Sequence, residues 1–263
     1  MNEKGLSAGL FYFPDYGKYE EYSEANYETN ISDFQLVSYI LGRCATVDEV
    51  KAEIARVHIH GFDPRSSTVH WRFAEPSGRQ IVLEIIDGKC VFYENNLGVL
   101  TNSPSFDWQL TNLNNYVNLL PGRTEPHTIG NMSLSSFGGG SAMIGLPGDF
   151  TPPSRFVRAA FFQSTAAQKP DAESSVFTAF HILGSMEIPI GAQFPVDETP
   201  ADIPSATQCT CVTDMSGLRF YYRSMYDGGI RCIDLKEIDF KKIGLKSEPL
   251  VPSKKEFVHH IRF

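Results

Sequence analysis

Val69-His70-Trp71-Arg72-Phe73-Ala74-Glu75-Pro76-Ser77-Gly78-Arg79-Gln80-Ile81-Val82-Leu83-Glu84-Ile85-Ile86-Asp87-Gly88-Lys89-Cys90-Val91-Phe92-Tyr93 decides the fold class. Val69, Trp71 and Phe73 alternate with His70 and Arg72, the period-two pattern of a strand with one face buried. Pro76-Ser77-Gly78 turns the chain, Ile81, Leu83 and Ile85 continue the pattern, and Asp87-Gly88 is a tight hairpin signal before a third strand. The spacing predicts an antiparallel meander, with a short fourth strand over Val99 to Asn102.

Upstream, Gly5 to Pro14 reads as a turn and a core strand. Ser32-x-x-Gln35 and Thr46-x-x-Glu49 are capping-box patterns that open two helices. The first carries Phe34, Val37, Ile40 and Leu41, the second Val47, Val50, Ile54 and Val57, and together they form an αα-hairpin. Downstream, Ser105 caps a helix whose stripe is Phe106, Leu110, Leu113, Val117 and Leu120. Residues Pro121 to Pro153 are rich in Gly, Ser and Pro and longer than an ordinary connection. Helices follow from Ser154 to Ser164 and from Asp171 to Leu183, the second with Val176, Phe180 and Leu183 inward. Strands then cover Thr207 to Val212, Leu218 to Arg223 and Gly229 to Leu235, with Asp227-Gly228 as a hairpin turn. Hairpin-linked strands grouped around helices indicate an α+β sandwich in a single domain over residues 1–263.

The 263 residues suffice for a core without disulfide staples, and 42% hydrophobic with 21% charged residues is an ordinary globular balance. No apolar run is long enough for a membrane helix. A net charge of −8 with scattered acidic residues disfavours nucleic acid as a partner. Five cysteines, Cys44, Cys90, Cys209, Cys211 and Cys232, lack CxxC spacing and read as reduced, mostly buried thiols. His58-x-His60 with Asp63 and His70 is a weak metal pattern, because His58 falls at an expected helix end. Gly138-Gly139-Gly140-Ser141 lacks the Gly-Lys-Ser/Thr ending of a phosphate loop, and there is no Gly-x-Ser-x-Gly elbow. His70, His127, His181, His259 and His260 lie in no diagnostic context.

Three stretches are more specific. They are Asn2-Glu3-Lys4-Gly5-Leu6 running into Phe13-Pro14, Leu100-Thr101-Asn102-Ser103-Pro104-Ser105-Phe106-Asp107, and Gly145-Leu146-Pro147-Gly148-Asp149 leading to Pro153-Ser154-Arg155-Phe156-Val157-Arg158. In this order they resemble the choloylglycine hydrolase and penicillin V acylase family. The resemblance covers nearly the whole chain and implies the N-terminal-nucleophile fold, a four-layer αββα sandwich. It also implies a linear-amide C–N hydrolase in which an N-terminal cysteine is the nucleophile and its own α-amine the base, with neither metal nor organic cofactor. The segment carrying that cysteine, and the Arg and Asp after it, has no counterpart here. The chain therefore reads as an N-terminally truncated member lacking its first strands and inactive alone, or as a degenerate one that binds an acyl amide without turnover.

Carried over by motif, Asn102 is the oxyanion-hole side chain and Arg155 the cation beside the nucleophile. Tyr12 occupies a position that tends to be Tyr in penicillin V acylase-like members and Asn in many bile salt hydrolases, where it completes the substrate environment. Phe137, Met143 and Ile144, in the long loop, are candidate apolar walls of the acyl pocket. The implied partner is a small acyl amide, such as penicillin V, a conjugated bile salt or an acyl-homoserine lactone. Relatives are often homotetramers. A bacterial cytoplasm or periplasm is open, because a signal region would precede the missing cysteine.

Overall fold

The meander forms as its alternation dictates. In a computed structural model of the chain, which describes residues 1–63, 66–195, 197, 206–251, 254–258 and 260–261, the first strand is β1 (Ser7–Tyr12). Two short strands, β2 (Asn30–Ser32) and β3 (His58–His60), pair in parallel around α1 (Leu36–Leu41) and α2 (Val47–Ile54). Next come β4 (Val69–Ala74), β5 (Gln80–Ile86) and β6 (Lys89–Glu94). The first sheet runs β1-β4-β5-β6, antiparallel throughout. Asp87 and Gly88 both take positive φ at the β5–β6 turn, as a two-residue hairpin requires.

Trp71 pairs with Leu83 and Phe73 with Ile81, so their side chains share one face. There they pack with Leu36, Ile40, Val47, Val50 and Ile54 of α1 and α2. Fully burying each such side chain stabilises by about 1.5–3 kcal/mol. Thr46 and Glu49 make the expected reciprocal cap on α2. Phe34 precedes α1 and is exposed, and Leu36 with Ile40 supplies the core contact instead. Val57 lies beyond α2, and His58 and His60 stand on β3 rather than at a helix end.

The second face of the sheet is also covered. Val82 packs with Phe106, Phe156 and Ala160 from α3 (Phe106–Asn112) and α4 (Pro152–Thr165). Between these helices lies a small hairpin, β7 (His127–Ile129) and β8 (Met132–Leu134). α5 (Ala172–Gly184), capped by Asp171, covers a three-stranded sheet of β9 (Cys209–Asp214), β10 (Arg219–Ser224) and β11 (Asp227–Asp234). Its core is Val176, Phe180 and Tyr221, while Leu183 is partly exposed.

Three further sequence expectations are corrected. Val99 to Asn102 form no strand: Gly98 takes φ +75° and the Asn95 side chain bonds the Gly98 N–H and the Val99 carbonyl, closing a turn. The stripe through Leu120 breaks because α3 ends at Asn112, and beyond a short 3-10 turn Val117 and Leu120 are exposed. Asp227 and Gly228 belong to β11, with the turn at Met225 and Tyr226.

Gly5 joins the first sheet to the second. At φ +84° its Cα faces the Met215 carbonyl beyond β9 and the Pro76 ring, where a Cβ would sit 2.5 Å from that oxygen. Asn2 secures the same turn: its Nδ2 donates to the carbonyls of Leu41 and Cys44, and its Oδ1 accepts from the N–H of Lys4 and Leu6.

Candidate active site

Asn102 lies in the connection between β6 and α3, and hydrogen bonds hold that connection from several sides. Its Nδ2 donates to the Tyr12 carbonyl at 2.7 Å, and its Oδ1 accepts from Arg155 Nη2 at 2.7 Å. Gln109 Nε2 reaches the Asn102 carbonyl at 3.5 Å. On either side, Ser103 Oγ donates to the Pro14 carbonyl and Thr101 Oγ1 to the Pro152 carbonyl. The Ser103–Pro104 peptide is cis. One hydrogen of the Asn102 amide remains to be donated elsewhere, and the Arg155 cation polarises the amide toward giving it.

The start of α4 places Arg155. Pro152 and Pro153 suit the first helical turn, which needs no N–H donors. The Asp149 carboxylate accepts from the Thr151 N–H and hydroxyl and from Ser154 Oγ. These bonds hold the Asp149 carboxyl at about 2, below the usual carboxylate range. Arg155 Nε also donates to the Phe150 carbonyl. Burial, and then the neighbouring Arg158, push the Arg155 guanidinium down from its ordinary value. Arg158 is buried, with Nη1 bonded to the carbonyls of Pro147 and Asp149. It belongs to the quoted Arg155-Phe156-Val157-Arg158 run, and its spacing of three from Arg155 is the signal that could have singled it out.

The structure thus brings Asn102, Arg155 and Tyr12 together. Tyr12 contributes its carbonyl to Asn102, and the residue, at the end of β1, is 56% exposed. Phe137, Met143 and Ile144 lie elsewhere, in the loop of residues 121–147. A cavity of about 550 Å³ opens there, lined by Leu134, Phe137 and Ile144 together with Glu125 and His127. Met143 sits in a 3-10 turn beside it. Asn102, Arg155 and Tyr12 do not line this cavity.

The thiols depart from the expected burial. Cys44 is buried, but Cys90, Cys211 and Cys232 are exposed. Cys209 and Cys211 share one face of β9, with sulfurs 3.4 Å apart. Burial pushes the Cys44 thiol up. His58 Nδ1 meets Glu20, and His60 Nδ1 the Gly61 carbonyl. His259 lies outside the described residues.

Known proteins that share this arrangement of helix-covered sheets are linear-amide hydrolases. A family model described as linear amide C–N hydrolases, choloylglycine hydrolase family, matches residues 1–248. A bile salt hydrolase/transferase of Clostridium perfringens is 35% identical over 242 residues, spanning 90% of this chain and 72% of the relative. A penicillin V acylase of Pectobacterium atrosepticum is 29% identical over 93% of this chain and 63% of its own length. The crystal structure of a conjugated bile acid hydrolase variant from Clostridium perfringens superposes with a TM-score of 0.86 at 32% identity, covering 100% of this chain and 79% of that one. The chain belongs to the choloylglycine hydrolase family of linear-amide C–N hydrolases, and its fold is the αββα sandwich of that class.

Proposed function

We propose that Asn102, Arg155 and Tyr12 form the oxyanion side of a site for small acyl amides. Cleaving an amide by acyl transfer places negative charge on the carbonyl oxygen, and a donor already aimed at that charge lowers the barrier. The observation that carries this reading is the paired restraint on Asn102, whose amide is fixed through one N–H and through its oxygen. Arg155, beside it, would favour an attacking thiolate. The chain's own thiols are poor candidates for that nucleophile. The Cys44 thiol is buried and raised, and among the described residues no cysteine is hydrogen-bonded to Asn102, Arg155 or Tyr12. Residues 1–263, as one domain, would therefore bind an acyl amide without cleaving it.

The exposed Tyr12 ring favours a flat aromatic acyl group over a steroid, since edge stacking adds about 0.5–1.5 kcal/mol beyond burial. The test uses the chain alone and the chain joined behind the N-terminal cysteine segment of the Clostridium perfringens relative. Calorimetry should detect binding of penicillin V to the first, with no phenoxyacetate released. The second should turn over, preferring penicillin V to glycocholate, and Asn102→Ala should lower its kcat by roughly a hundredfold. A fall under about threefold would return Asn102 to the role of a turn residue. Release by the chain alone would overturn the binding-only reading. Tyr12→Asn should move the substrate ratio toward glycocholate, and an unmoved ratio would place specificity elsewhere.

A further inference from the structure

We propose that the buried pair His70 and Glu84 holds Asn102 in place from behind. Both side chains project from the face of the first sheet opposite α1 and α2, and both are 0% exposed. The register that pairs Trp71 with Leu83 sets them opposite each other. His70 Nδ1 lies 3.1 Å from Glu84 Oε1, and its Nε2 lies 3.1 Å from the Thr101 carbonyl, the residue before Asn102. Glu84 Oε1 also accepts the Phe106 N–H at 2.9 Å, four residues after Asn102. The flat of the imidazole stacks on Phe13 at 4.4 Å, next to the Tyr12 carbonyl that receives the Asn102 amide. The pair thus touches the connection on both sides of Asn102, as well as the strand end that faces it.

Hydrogen-bond chemistry explains why ionisable groups stand here. His70 Nε2 faces the Thr101 carbonyl, which can only accept, and Glu84 Oε1 faces the Phe106 N–H, which can only donate. The pair therefore supplies a donor to Thr101 and an acceptor to Phe106, which no apolar pair could do. As core alone it is a poor choice. Among the described residues Glu84 Oε2 has no hydrogen-bond partner, and apolar side chains of similar volume generally stabilise an interior as well or better. His70 and Glu84 are positioning residues, since neither is hydrogen-bonded to Asn102 itself.

Stability and site order should therefore separate. In the full chain, NMR would follow solvent exchange of the Asn102 side-chain amide and the Phe106 N–H in the double variant His70→Phe, Glu84→Leu and in Glu84→Gln. The double variant should still fold, and both exchange rates should rise roughly tenfold or more beyond any change at sheet amides such as Trp71, which report global opening. Glu84→Gln, which keeps an acceptor for Phe106, should stay within about threefold of the parent. An unchanged Asn102 amide in the folded double variant would overturn the proposal. Should that variant not fold, Glu84→Ala read against Glu84→Gln decides, and equal exchange in the two overturns it. The catalytic meaning of this positioning rests on the reading of Asn102 as an oxyanion donor. In the turnover-competent fusion the double variant should lose kcat with little change in KM. A loosened Asn102 with undiminished kcat would refute that reading while leaving the positioning intact.

Discussion

Residues 95–105 and residues 121–147 are both irregular and both rich in turn-forming residues, yet they are built in opposite ways. The first is bonded to β1 through Asn102, to β4 and α4 through Thr101 and to β5 through the Asn95 N–H, which donates to the Gln80 carbonyl, and α3 continues from it with Phe106 in the core. The second bonds mostly within itself, as in Gly140 to Gly122 and Thr124 to Ser141, and it exposes Ile129, Met132, Phe137 and Ile144. The difference teaches that turn composition does not report rigidity. What counts is how many backbone and side-chain polar groups find partners on other elements.

The sharpest way to break that contrast is to remove an anchor from the fixed segment. Phe106→Ala should cost about 3–5 kcal/mol, read as a shift in the urea midpoint. Asn95→Ala comes next, at about 1–3 kcal/mol, because it strips the partners from Gly98 and Val99 in a buried turn. If Asn95→Ala were neutral, the first segment would be no more fixed than the second.

Acid tests the junction where the loose loop meets α4. The folded-state pKa of Asp149 lies at about 2, below its ordinary 3.8. Its contribution to stability is therefore present in full above the ordinary value and lost as pH falls through about 2. Asp149→Asn should be modestly less stable than the parent at pH 6, and the gap should close near pH 2. A gap that persisted there would mean that these bonds do not depend on the carboxylate. The smallest effect is expected in the loop itself, where Phe137→Ala should change stability by less than about 0.5 kcal/mol. A larger loss would show that the loop is part of the core after all.

The sequence made the scaffold more legible than the site. Alternation through Trp71 and Leu83, the Asp87-Gly88 turn and the Thr46–Glu49 cap are local signals, and each appears in the structure. The Leu110 to Leu120 stripe misled because helical spacing predicts a helix only where a surface exists to bury it, and Val117 and Leu120 meet none. Asn102, Arg155 and Tyr12 could be picked out through the family motifs alone, since a turn asparagine and a helix arginine have ordinary local explanations. His70 and Glu84 were hidden more thoroughly. As polar residues alternating on strands they resemble a solvent face, and only the packing of α3 and α4 over that face makes them interior.

The first sheet has a consequence for synthesis on the ribosome. β1 pairs with β4, β4 with β5 and β5 with β6, so every strand partnership in that sheet is complete once Glu94 has emerged. Its helix-side core needs no residue beyond Phe92. The nascent chain can close this half while the remainder is still being translated, and the Met215 carbonyl reaches Gly5 only near the end. On this scheme Asn102 would be delivered to a β1 strand already in place, and Arg155 would arrive later to complete the proposed site.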